Sequence, residues 1–245
     1  MQVNREVDLM NNQGKTWMAI GGHIGDAELT CGGVLATRAL LGDKIVTVGL
    51  TGGEKGNPPH LSTAEYRIQK EREAHAFAER LGGEAVVFPY ADGELPDNQE
   101  VRFMLADLIR LHRPAVLLTH WKNSIHKDHE LAYRIVNDAQ FYAALPGFER
   151  PQALAPHFAA GPYYAENWED PFDFHPYTYI EVSREGFALW REAIALHWFT
   201  VHSTSFQYRE YYTHLMSVRG IEAHKEYAQA FDVPPMSKRQ VVSDL

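Results

Sequence analysis

Thr16-Trp17-Met18-Ala19-Ile20-Gly21-Gly22-His23-Ile24-Gly25-Asp26-Ala27-Glu28 is the stretch whose reading decides the fold. Its first half is a short apolar run without polar alternation, ended by two glycines, the pattern of a strand buried on both faces. Residues 27–41 then follow a helical period through Leu29, Val34, Leu35, Ala39 and Leu40. The same alternation repeats downstream: strand 44–51, helix near 63–82, strand 85–88, helix near 98–112, strand 115–119 and helix near 128–143. Strands alternating with helices specify βαβ units, so the fold class is α/β with a mostly parallel sheet. In such sheets ligands gather beyond the carboxyl ends of the strands.

Past residue 145 the texture changes. Prolines at 146, 151, 156, 162, 171 and 176 interrupt the chain, and 18 of the 29 aromatic residues fall between Phe158 and Phe231, which predicts an aromatic-rich elaboration packed on the sheet. Within it, 162–164 and 177–182 read as strands and 184–199 and 204–217 as helices, the first of these capped by Ser183. The expected organisation is one domain over 1–245, with an α/β core at 1–145, the C-terminal elaboration at 146–235 and a loose tail at 236–245. No internal repeat or low-complexity segment is present.

Composition narrows the function classes. With 23 Lys+Arg against 32 Asp+Glu the net charge is −9, which argues against nucleic acid as a partner and favours a bound cation. No apolar run approaches the length of a membrane span, and the mixed-charge start has no secretory h-region. The lone cysteine, Cys31, has no internal disulfide partner and reads as a packing residue. These features predict a cytoplasmic protein off the membrane; a homo-oligomer is compatible with them. The unusual quantity is 13 histidines.

Two groups of those histidines sit at strand ends. His23 and Asp26 follow the first strand and open the first helix, three apart, where they can chelate one ion. His120, His126, Asp128 and His129 follow the fourth. A lone histidine after a strand is more often a hydrogen-bonding or capping residue. Two His/Asp clusters at strand ends of one sheet point instead to a divalent metal, since imidazole and carboxylate suit Zn²⁺ and three ligands leave a position for water. Arg67, Lys70 and Arg72 lie on a charge-rich helix that reads as a solvated face. Gly22-x-x-Gly25 lacks the rest of a dinucleotide-binding turn, and no Gly-x-Ser-x-Gly elbow is present.

Taken in order, the motifs resemble those of the LmbE-like (PIG-L) family of zinc-dependent N-acetylglucosaminyl deacetylases. Gly22-His23-Ile24-Gly25-Asp26-Ala27-Glu28 followed by Cys31-Gly32-Gly33 is similar to that family's His-Pro-Asp-Asp-Glu motif, and His126-Lys127-Asp128-His129 to its His-Pro-Asp-His. Thr51-Gly52-Gly53-Glu54-Lys55-Gly56 resembles its Thr-x-Gly-Glu-x-Gly loop, and Glu73, Ala78 and Leu81-Gly82 its Glu-x4-Ala-x2-Leu-Gly helix. Asp92-Gly93-x-Leu95, Arg113-Pro114 and the closing Tyr227-Ala228-Gln229-Ala230-Phe231 also match, so the resemblance spans about residues 15–233. It implies a Rossmann-like three-layer sandwich and a hydrolase that takes an acyl group, usually acetyl, off the amine of a small amino sugar or conjugate by way of metal-activated water. His23, Asp26 and His129 would ligate Zn²⁺ or another divalent ion. His126 would donate to the oxyanion and protonate the leaving amine, Asp128 would hold His126, and Glu54 and Asp92 would bind sugar hydroxyls.

One departure stands at the centre of the pattern. The family's first motif has two successive aspartates, the first a general base, and here that position is Gly25. The usual Ser-Gln after a later histidine is likewise absent from His197-Trp198-Phe199-Thr200. Either another group serves as base, with Asp128, His120 and Glu28 nearest in sequence, or the substrate is more labile, or the chain is a non-catalytic metal- or sugar-binding pseudoenzyme. For Glu28 the structural alternative is stabilisation of a helix N-terminus, and for His120 a strand-end hydrogen bond.

Overall fold

The computed structural model describes residues 14–169 and 172–239. Its strands are β1 (Thr16–His23), β2 (Lys44–Thr51), β3 (Glu84–Tyr90), β4 (Val116–His120), β5 (Ala160–Ala165), β6 (Thr178–Val182) and β7 (Tyr227–Asp232). Its helices are α1 (Asp26–Thr30), α2 (Gly32–Leu40), α3 (Thr63–Arg80), α4 (Gln99–His112), α5 (Lys127–Ala144), α6 (Arg184–Ile194), α7 (Trp198–His202) and α8 (Tyr208–Glu222). The strands form one sheet in the order β3-β2-β1-β4-β5-β7-β6. β3 to β5 along that order run parallel, whereas β7 is antiparallel to both its neighbours.

β1 explains the arrangement. Every residue from Trp17 to His23 is buried, and successive side chains serve opposite faces. Trp17 and Ala19 join Val34, Leu35, Trp190 and Met216 on one side. Met18 and Ile20 join Leu105, Ile109, Ile135 and Val136 on the other. Full burial of each such side chain contributes about 1.5–3 kcal/mol, so a strand apolar on both faces belongs in the middle of a sandwich. After β3 the chain crosses over β1 to form β4, and the winding direction reverses between them. Such a reversal opens a crevice at the carboxyl ends of the two strands. No helix among the described residues is long and apolar enough to cross a membrane.

Four elements differ from the sequence reading. The helix expected over 27–41 is interrupted at Cys31, separating α1 from α2. The cause is Gln229 on β7: its Oε1 accepts the Val34 N–H at 2.8 Å, and its Nε2 donates to Thr30 O at 2.7 Å. One amide side chain thus occupies both ends of an i→i−4 bond, as an inserted group does at a helix kink. The helix expected over 184–199 ends at Ile194, where the Thr200 hydroxyl lies 2.8 Å from Ile194 O and 2.9 Å from His197 O; a side chain competing for helix carbonyls ends the ladder. Tyr227–Asp232, which carries the closing motif, is a strand, β7, and the helix expected over 204–217 runs instead from Tyr208 to Glu222 as α8. Of the tail, Pro235–Lys238 forms a 3-10 turn and residues 240–245 lie outside the described residues.

His197, between α6 and α7, is fully buried, with no hydrogen-bond partner at either ring nitrogen among the described residues. Its Nδ1 is 4.0 Å from Glu73 Oε2, and its ring packs on Phe77 at 5.7 Å. Burial holds its pKa down at about 3, from an ordinary 6.5, with Lys70 adding to the effect. The unfolded chain therefore takes up a proton below pH 6.5 that the folded chain refuses until about pH 3, and stability falls as pH drops through that window, at most by roughly 1.4 kcal/mol per pH unit. In His197→Phe the denaturation midpoint should decline less steeply between pH 6.5 and 4 than in the wild type; parallel declines would refute the assignment.

Candidate metal centre and cavity

β1 and β4, side by side at the reversal, bring the two histidine clusters together. His23 Nδ1, Asp26 Oδ2 and His129 Nε2 lie 3.2, 3.0 and 3.1 Å apart in pairs. Three donors each 2.0–2.1 Å from one tetrahedral ion are about 3.3 Å apart, so this spacing and chemistry fit a divalent metal. Asp26 Oδ2 is fixed by the His23 backbone N–H at 2.7 Å. Burial opposes charge on all three groups, yet each is driven further into its charged form. His129 is raised to about 9 and His23 is raised well above its ordinary value, chiefly by Asp26; Asp26 is held well below the carboxylate range by His129 and His23. The site attracts positive charge, and proton and metal compete for the same lone pairs.

Around this core each expected residue has a defined place. His126 caps α5: its Nδ1 accepts the Asp128 N–H at 3.2 Å, which assigns the proton to Nε2. That nitrogen lies 3.7 Å from Asp92 Oδ1, and both residues line the cavity. Asp128 thus holds His126 through its backbone amide. Its carboxylate accepts the Gly93 N–H at 2.7 Å and stands 3.5 Å from His23 Nε2, which is also 3.2 Å from Asp92 Oδ1. Glu54 does not line the main cavity. Its Oε1 accepts the Asp92 N–H at 3.1 Å, and Arg67 lies 3.7 Å from its Oε2, so it braces the loop that carries Asp92.

Two of the three proposed substitutes for the missing base already hold backbone N–H groups, and His120 Nε2 also stands 3.2 Å from Asp26 Oδ2. His120 Nε2 accepts the Gly22 N–H at 2.9 Å, and its ring stacks on His129 at 4.1 Å. Glu28 is buried, accepts the Gly25 N–H at 3.1 Å, and is pushed up to about 7 by burial. The position the base would occupy is closed as well. Gly25 has φ +106°, and a Cβ there would stand 2.6 Å from the Phe199 ring.

The cavity has a volume of about 610 Å³, with His23, Asp26, Asp92, His126 and His129 at one end and Trp168, Trp198, Phe199 and Tyr208 along its walls. Lys70 and Glu169 also line it. The solvated-face reading fails for the charged helix, because Arg67 turns inward to Tyr90 O and Phe88 O and Lys70 is buried. The Lys70 ammonium lies 4.7 Å over Phe199 and 5.7 Å over Tyr66. Gly53, at φ +63°, makes room for it: a Cβ there would come within 3 Å of both Lys70 Nζ and His23. Sequence reasoning missed Lys70, Phe199, Trp168 and Glu169 as cavity residues; the one local signal was the charge and aromaticity of Glu166-Asn167-Trp168-Glu169.

A family model described as PIG-L, GlcNAc-PI de-N-acetylase, matches residues 18–140. The chain is 26% identical over 228 residues to 4-oxalmesaconate hydratase of Pseudomonas putida, covering 88% of this chain and 84% of that protein. It is 31% identical over 163 residues to diacetylchitobiose deacetylase of Thermococcus kodakarensis, covering 62% of this chain and 61% of that one. Among solved structures, the 4-carboxy-2-hydroxymuconate hydratase of Pseudomonas putida shares the fold, with a TM-score of 0.81 and 22% identity over 94% of this chain and 99% of that chain.

The closed position beside Gly25 has a measurable consequence. Gly25→Asp should lower stability by about 1–3 kcal/mol through backbone strain and the Phe199 contact, and should add no turnover. Pairing it with Phe199→Ala should recover part of the loss. Thermal unfolding checks this, and an unchanged midpoint in Gly25→Asp alone would disprove it.

Proposed function

Because the chain belongs to the PIG-L family, whose model matches half its length, we propose that it is a divalent-metal-dependent hydrolase that removes an acyl group, acetyl first, from the nitrogen of a small amino sugar or conjugate. The observation that carries this reading is His126, whose Nε2–H faces the cavity beside the His23, Asp26 and His129 donor set. Zinc is the ion proposed for those three residues. When bound, such an ion polarises a carbonyl oxygen and makes water nucleophilic near neutral pH.

The chain's own groups supply the rest. His126 Nε2–H donates to the carbonyl oxygen as it gains charge. Asp92, kept ionised with its pKa lowered to about 2 by His23, against the opposing effect of burial, lines the cavity next to that nitrogen. Its nearness to His126 Nε2 supports a role for it in taking the proton from water in place of the carboxylate Gly25 lacks, and in returning it to the leaving amine. The aromatic walls suit the apolar faces of a sugar ring. Cytoplasmic location is part of the proposal, supported by the single, buried, unpaired Cys31.

A second reading, hydration of a carbon–carbon double bond in an unsaturated carboxylate, is favoured by Lys70. Its ammonium lies over the Phe199 and Tyr66 rings; burial lowers its pKa, while Asp26, Asp92, Glu73 and Glu28 act through space to keep it charged, so an entering substrate carboxylate would pair with it. The hydratase relative matched over most of its length supports the same reading.

One comparison separates the two. Zinc-loaded wild type and His129→Ala are assayed for acetate release from a panel of N-acetylated amino sugars, and for loss of the conjugated absorbance of unsaturated dicarboxylates. The deacylase reading expects stoichiometric acetate, reduced at least 100-fold in His129→Ala. Turnover of the dicarboxylates alone would establish the hydratase, and a metal-loaded chain active on neither would leave the binding-protein alternative.

A further inference from the structure

We infer that Glu169, supplied by the C-terminal elaboration, positions the metal-ligating nitrogen of His129, an assignment that rests on the metal centre proposed above. Glu169 Oε2 lies 3.3 Å from His129 Nδ1, on the side of the ring away from His23 and Asp26. That oxygen is buried and has no hydrogen bond among the described residues. A carboxylate oxygen withdrawn from water without a partner is unfavourable, and the charge of this one lies beside His129 Nδ1, where a proton is favoured. With the proton there, Nε2 presents its lone pair to the ion, and the negative charge behind the ring strengthens it as a ligand. Ser124 Oγ, 3.2 Å from the same nitrogen, already accepts the His126 N–H at 3.2 Å, so it adds a neutral contact while Glu169 brings the charge.

The segment carrying Glu169 is anchored for such a task. Glu166 accepts from Arg219 Nε at 2.7 Å, and Asn167 Oδ1 accepts the Tyr212 hydroxyl at 2.7 Å, both from α8. Trp168 stacks on Phe206 at 4.2 Å. These contacts hold the segment beside His129, whose ring also stacks on His120.

The test measures zinc affinity of the purified full chain by competition with a chromogenic chelator, together with the unfolding midpoint of the metal-free protein. Glu169→Ala should weaken zinc binding 10–100-fold with the metal-free midpoint unchanged, which a merely structural role would not produce. Glu169→Gln keeps a polar oxygen beside Nδ1 without the charge and should fall between the two. If Glu169→Ala fails to fold, weaker zinc binding by Glu169→Gln than by wild type supports the assignment. Wild-type zinc affinity in either variant overturns it. A wild-type chain that binds no divalent ion removes the metal centre itself and this role with it.

Discussion

Asp26 Oδ2 has three imidazole nitrogens within 3.2 Å, those of His23, His120 and His129, and accepts a backbone N–H besides. Electron pairs gathered this closely repel one another unless protons or a cation lie between them, and in isolation the side chains would turn apart. What keeps them together is the sheet. β1 and β4 are hydrogen-bonded neighbours with apolar layers on both faces, so their carboxyl ends have no freedom to separate. The electrostatic cost of the cluster is carried by the core, and the benefit is a strong preference for positive charge at one point of an acidic protein.

The parts of this arrangement that were legible in the sequence are those set by short spacing. His23 with Asp26, and His126 with His129, each lie three residues apart at the junction of a strand and a helix, and the strand–helix alternation is enough to bring both pairs to one edge. The parts that were not legible arrive across long distances. Lys70 sits in a helix whose run of charges looks solvated, yet its ammonium is turned inward beneath Phe199. Phe199 closes the space beside Gly25 from α7, more than 170 positions away, and Glu169 reaches His129 from a loop between strands. No local pattern encodes such contacts, because they are decided by how the C-terminal elaboration packs. Glu54 shows the converse: its motif position suggested a ligand contact, and its carboxylate is committed to the Asp92 backbone.

Gly25 and Phe199 also change what the absent aspartate means. The position has lost a carboxylate and is in addition filled by a ring, on a backbone conformation suited to glycine. In the proposed reaction the proton acceptor is instead Asp92, which neighbours His23 and His126.

Gln229 bridges Val34 and Thr30 across 195 to 199 positions. During synthesis the first His/Asp motif leaves the ribosome early, while the side chain that completes its helix junction follows on the order of 10–40 s later at ordinary elongation rates. Through that interval the α1–α2 junction lacks the amide that bridges it. A chain stopped short of β7 therefore carries every proposed metal ligand but not the side chain that sets the helix joint beside them.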